Sequence, residues 1–112
     1  ALMLLVQEAG REILCGIDGL LEALKVLALR YRTLPAMGRT HGMFAEPTVF
    51  GLRFLGFFSE WQRNRDRLEK SLDQLRVGKL SGAVGANSHL SCAEEARILA
   101  SLSLRPEPVS TQ

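Results

Sequence analysis

The sequence predicts an all-α fold: two long antiparallel helices followed by a short one. Three observations carry that reading. Leucine occurs 20 times against 6 valines and 3 isoleucines, so the apolar content comes from a helix former and not from the β-branched residues that strands favour. Two long stretches repeat their apolar residues at three- and four-residue steps. Segments rich in glycine and proline separate those stretches and mark where each helix stops.

The first helix is expected from Leu2 to about Arg32. Val6, Ala9, Ile13, Ile17, Leu20, Leu24, Leu27 and Tyr31 form its apolar stripe, and its length is about 45 Å at ~1.5 Å per residue. Gly10, Gly16 and Gly19 each cost about 1 kcal/mol relative to alanine inside a helix, which predicts that another backbone packs closely there. Pro35 ends the helix by pushing Leu34 out of the helical region. Residues Pro35 to Glu46 then read as a polar loop, with Gly38 and Gly42 around Arg39, Thr40 and His41.

Pro47 suits a first helical turn, so the second helix is expected from Pro47 to about Val77. Phe54, Trp61, Leu68 and Leu75 lie one heptad apart on it, with Phe58 and Leu72 on the adjoining row. Arg65 and Glu69, and Asp66 and Lys70, stand four apart, and their alternating signs fit a solvated or interhelical face better than a nucleic-acid patch. Gly78 is expected to close the helix in a left-handed conformation, followed by a loop through Ser88 containing Gly82 and Gly85. This loop is no phosphate-binding P-loop: Leu80 follows Lys79 where a serine or threonine is required, and Asp73 stands where the first glycine would be. Ser91 and Glu94 form a capping box that opens a short helix ending near Leu104, and Pro106 and Pro108 stiffen the tail beyond it.

At 112 residues and 12.4 kDa the chain holds one domain at most, with a modest core. A composition 46% hydrophobic and 23% charged is too apolar for disorder, and a net charge of +2 gives no ground for binding nucleic acid or membrane surfaces. The run Ala1 to Val6 is too short for a membrane span and lacks the features of a signal peptide, so the chain is expected to be cytoplasmic. Beginning at Ala1 and ending at Gln112, it reads as a piece of a longer polypeptide, too small to be a whole enzyme.

Cys15 and Cys92 have no paired spacing and serve as small apolar residues in a reducing compartment. His89 precedes Cys92 by three, but no second pair of ligands completes a zinc site, and no metal or cofactor is expected. His41 stands in richer company, with donors at Arg39 and Thr40, Glu46 beyond, and flanking glycines that let a ligand approach the backbone. On spacing alone that loop fits both a histidine acting on a ligand and one that bonds locally.

The stretch from Met37 through Arg39-Thr40-His41-Gly42 and Ala45-Glu46-Pro47 to Leu52 closely resembles the adenylosuccinate lyases of the fumarase/aspartase superfamily. Val77-Gly78-Lys79-Leu80-Ser81-Gly82-Ala83-Val84-Gly85 looks like the glycine loop of those enzymes, and Pro106 to Gln112 looks like the segment leading to their substrate-binding glutamine. The resemblance covers almost the whole chain in order and interval. It implies a segment of the elongated central helical bundle of a homotetramer. It also implies a small-molecule substrate: β-elimination of fumarate from adenylosuccinate, and from the succinylcarboxamide intermediate of purine synthesis. His41 would then be the general acid that protonates the departing nitrogen, with Thr40 and Gln112 binding substrate and Lys79 and Ser81 as further candidates near the site. Imidazole suits the role because it exchanges protons near neutral pH, and a donated proton is worth about 10² to 10⁴ in rate.

Two departures stand out. Phe44 takes the place of a histidine found in many relatives, and Asn87, Ser88 and His89 replace an aromatic-asparagine pair. The general base and a threonine-serine stretch of such sites fall outside these residues. The alternatives are a helical oligomerisation module without activity, which would need neither the Arg39-Thr40-His41 loop nor the glutamine-ended tail, and another lyase of the superfamily.

Overall fold

The computed structural model describes residues 1–109. In chain order the elements are α1 (Leu2–Arg30), β1 (Pro35–Thr40), β2 (Met43–Val49), α2 (Gly51–Gln74), β3 (Val77–Gly78), α3 (Cys92–Ser101) and β4 (Arg105–Pro106). Two long helices and a short one dominate, as the sequence predicts. They fall into two compact units, Glu12–Leu68, and Ala1–Arg11 with Glu69–Gln112.

In the unit Glu12–Leu68 the helical portions of α1 and α2 run antiparallel and are joined by a hairpin. The core of this unit is Ile17, Leu21 and Leu24. Of the predicted α1 stripe, Ile13 and Leu20 instead face outward, while Leu14 and Leu21 turn inward. The helix is apolar on more than one face, so periodicity alone did not fix which row points in. Asp18 accepts a 2.6 Å hydrogen bond from Arg65 Nε, and that bond to the guanidinium holds the Asp18 carboxyl below its ordinary range. Where α1 ends, Tyr31, Phe50 and Phe54 form an aromatic cluster with ring centroids 5.1–6.0 Å apart.

The expected loop from Pro35 to Glu46 is instead an antiparallel pair, β1 with β2, and the helix expected from Pro47 starts at Gly51. Pro47 pairs with Met37 inside β2; each strand has a free edge, so a residue without an N–H is tolerated there. What starts α2 is the end of α1. Phe50 N–H donates to the Leu34 carbonyl at 2.8 Å and Gly51 N–H to the Tyr31 carbonyl at 3.0 Å, joining acceptors left over after one helix to donors at the start of the next. A Cβ on Gly51 would lie 2.5 Å from the Ala28 carbonyl oxygen, so only glycine fits this junction.

In the other unit Leu72, Leu99 and Leu104 are buried, and Gln7 donates to the Leu72 carbonyl at 2.6 Å. Gly10 lies against the Leu72 side chain, whereas Gly16 and Gly19, in the first unit, have no close neighbour, so among the described residues the expected backbone contact at these glycines is not made. Gly78 is not the left-handed cap the sequence suggests. It sits in β3, where a Cβ would lie 2.6 Å from Leu99, and its small size admits α3. β3 pairs in parallel with β4, Val77 with Arg105 and Gly78 with Pro106.

The capping box forms as expected: Ser91 Oγ accepts from Glu94 N–H at 3.3 Å, while the Glu94 carboxylate accepts from Ser91 N–H at 2.9 Å. The helix it opens ends at Ser101. Leu104 N–H donates to the Leu99 carbonyl and Ser103 N–H to that of Ala100, with Ser103 left-handed at φ 57, a Schellman closure that also packs Leu104 on Leu99. Many large apolar side chains stay on the surface, among them Ile13, Leu52, Leu55, Phe57, Trp61 and Leu75. Among the described residues no helix is long and apolar enough to cross a membrane.

Candidate active site

β1 and β2 are closed by two residues, His41 and Gly42, between the paired Thr40 and Met43. Both turn residues have positive φ, 52° at His41 and 76° at Gly42. That combination defines the tight hairpin turn whose twist matches the strands, and its first position ordinarily takes asparagine, aspartate or glycine. A histidine there takes up a left-handed backbone that glycine adopts at no steric cost. Its ring is exposed at the tip, and among the described residues it has no hydrogen-bond partner.

Gly38 sets the path of the strands below this tip. Between Met37 with Pro47 and Arg39 with Phe44 the register slips, so that Ala45 and Glu46 together face Gly38. A Cβ on Gly38 would lie 2.7 Å from the Glu46 carbonyl oxygen. The slip puts Arg39 opposite Phe44, and the Arg39 guanidinium lies 4.6 Å from the centre of the Phe44 ring. Neighbouring residues of a strand point to opposite faces, so Arg39 and Thr40 are parted, and the loop of convergent donors expected around His41 does not form. Thr40, at the end of its strand, stays next to His41.

Lys79 and Ser81 belong to the other unit, just after β3. Ser81 is buried and Lys79 half-buried. Gly82, Gly85 and Asn87 all adopt positive φ, at 85°, 75° and 52°. The loop is tied across its base: Asn87 N–H donates to the Ser81 carbonyl at 2.9 Å. The Glu95 carboxylate, buried on α3, accepts from Leu80 N–H at 2.6 Å and from the Asn87 side-chain amide at 3.3 Å. A cleft of about 240 Å³ opens beside it, lined in part by Ser81, Asn87 and Glu107.

Sequence reasoning passed over Glu95. The available signal was its place four residues before Leu99, which puts a carboxylate on the inward row of α3. Gln112 lies outside the described residues. Among the described residues no three His, Cys, Asp or Glu side chains cluster as metal ligands.

A family model described as lyase matches residues 1–111. The chain is 46% identical over 105 residues to the adenylosuccinate lyase of Thermotoga maritima, covering 94% of this chain and 24% of that protein. It is 42% identical over 112 residues to the adenylosuccinate lyase of Aquifex aeolicus, covering all of this chain and 26% of that protein. Among solved structures it is similar to a fumarate lyase from a Mesorhizobium species, with a TM-score of 0.85 and 30% identity over 96% of this chain and 26% of that one. It is also similar to the 3-carboxy-cis,cis-muconate lactonizing enzyme of Pseudomonas putida, with a TM-score of 0.84 and 28% identity over 96% of this chain and 25% of that one. The chain thus spans about a quarter of the length of the relatives it matches. With the family model matching nearly its whole length and relatives similar to it in sequence and in shape, the chain belongs to the lyase family.

Proposed function

We propose that the chain is a central helical segment of an adenylosuccinate lyase and carries its general acid. The reaction is the β-elimination of fumarate from adenylosuccinate, giving AMP, and from the succinylcarboxamide ribotide earlier in purine synthesis. A base outside these residues takes the proton from carbon, the carbon–nitrogen bond breaks as the double bond forms, and protonated His41 gives its proton to the departing nitrogen. Thr40 binds substrate beside it through its hydroxyl, and Gln112 through its amide.

The observation that carries this reading is the placement of His41 in a two-residue turn. The turn presents the imidazole exposed at the hairpin tip, where among the described residues it makes no hydrogen bond and is open to a ligand. The adenylosuccinate lyases at 46% and 42% identity support the substrate class. The exposed apolar rows, with Ile13 and Leu52 each 54% accessible, supply faces for the remaining helices of a bundle and for a homotetramer.

The test is His41→Asn in the complete lyase, since asparagine accepts the turn but cannot act as the acid. Fumarate release should fall by about a hundredfold or more with the fold intact. Near-normal turnover would remove His41 from the chemistry. The segment alone, lacking the base, should release no fumarate.

A further inference from the structure

A carboxylate removed from water is retained only where donors satisfy it. Glu95 is 6% exposed, and both of its oxygens are used: Oε1 by Leu80 N–H at 2.6 Å and Oε2 by the Asn87 amide at 3.3 Å. These donors sit at the two ends of the glycine loop, and a third bond, from Asn87 N–H to the Ser81 carbonyl, closes the same gap. The stretch between them contains Gly82 and Gly85 in left-handed conformations, and such a chain has little rigidity of its own. Helix α3 has no need of a charge on this row. Its capping box is complete with Ser91 and Glu94, and its inward contacts are made by Leu99.

We propose that Glu95 is a positioning residue for the lyase site: its carboxylate fixes the two ends of the Leu80 to Asn87 loop and thereby holds Ser81 and the neighbouring Lys79 in place for substrate. The proposal rests on the reading of the chain as an adenylosuccinate lyase in which that loop meets substrate. Its chemical content is the matching of two donors to two acceptors. A glutamine at 95 has one acceptor and one donor, so it can serve Leu80 N–H only by turning its own NH2 toward that of Asn87.

The test uses the complete lyase. Glu95→Gln should raise KM for adenylosuccinate about tenfold or more while kcat changes by no more than about threefold, because charged hydrogen bonds are lost in positioning and not in proton transfer. The double variant Glu95→Gln with Asn87→Asp exchanges donor for acceptor and should recover most of the lost affinity, which a carboxylate that merely filled space would not do. Asn87→Gly keeps the left-handed backbone and removes one donor; it should shift KM in the same direction if Glu95→Gln does not fold. An unchanged KM in the single variants, or a double variant no better than Glu95→Gln, overturns the proposal. His41→Asn run alongside separates the two ideas. If it abolishes turnover while Glu95→Gln changes nothing, only the positioning role fails; if it too is harmless, the reading of the site has failed.

Discussion

His41 and Ser103 both have positive φ, 52° and 57°, where glycine is the residue without steric cost. Around Ser103 the fold accounts for the geometry. Two hydrogen bonds close the end of α3 through it, and Leu104 is carried back onto Leu99, so the left-handed residue is the hinge of a packed helix terminus. Around His41 there is only a two-residue turn with an exposed ring. The same departure from backbone preference therefore has two meanings. At Ser103 the side chain is incidental and the conformation matters; at His41 the turn would form at least as well without the imidazole.

That contrast is open to experiment. The largest effect should come from His41→Gly, which relieves the backbone: thermal stability should be unchanged or higher while elimination by the complete lyase falls about a hundredfold or more. A drop in stability instead would show that the ring supports the fold. Gly51→Ala probes the footing of the hairpin. Its Cβ would meet backbone, at 2.5 Å from the Ala28 oxygen, and backbone cannot swing aside as a side chain can. Denaturant unfolding should show a loss of about 2 to 3 kcal/mol, with activity falling in step, unlike at His41.

Removing the cap with Ser91→Ala should lower stability by about 1 kcal/mol at neutral pH. The bonds from the Ser91 N–H and hydroxyl hold the Glu94 carboxyl below its ordinary range. A depressed folded pKa contributes stability that is present above the unfolded value and is lost as pH falls through the folded one, so the gap between parent and variant should narrow in acid. Unfolding curves collected through the acid range would show a constant gap if the Glu94 charge were irrelevant. The smallest effect is expected at Ser103→Gly, a gain of about 1 kcal/mol with turnover untouched. A loss of turnover there would erase the distinction from His41.

The helices were legible because leucine at three- and four-residue steps and the Ser91, Glu94 box are local signals. Less legible was which α1 row turns inward, since Ile13 and Leu14, or Leu20 and Leu21, are equally apolar neighbours and the choice depends on what α2 presents. The hairpin was hidden by its own punctuation. Gly38, Gly42 and Pro47 read as breakers in one dimension, but in three they are a bulge, a turn and an edge-strand proline. Gly78 misled in the same way, because the neighbour that requires it, Leu99, lies 21 residues on. Of the candidate site, Thr40 and His41 were singled out by the motif around them, whereas the left-handed backbone of His41 and the clamp by Glu95 exist only once strands pair and α3 docks.

The central claim is that His41 donates a proton at the hairpin tip, and the pH dependence of kcat/KM for the complete lyase and its His41→Asn variant addresses it most directly. An essential acid must be protonated, so the parent should lose activity on the alkaline side of its profile. With asparagine in the turn, the account predicts a residual rate at least about a hundredfold lower and without that alkaline limb. A variant that retains the limb of the parent at comparable turnover would place the acid elsewhere and contradict the account.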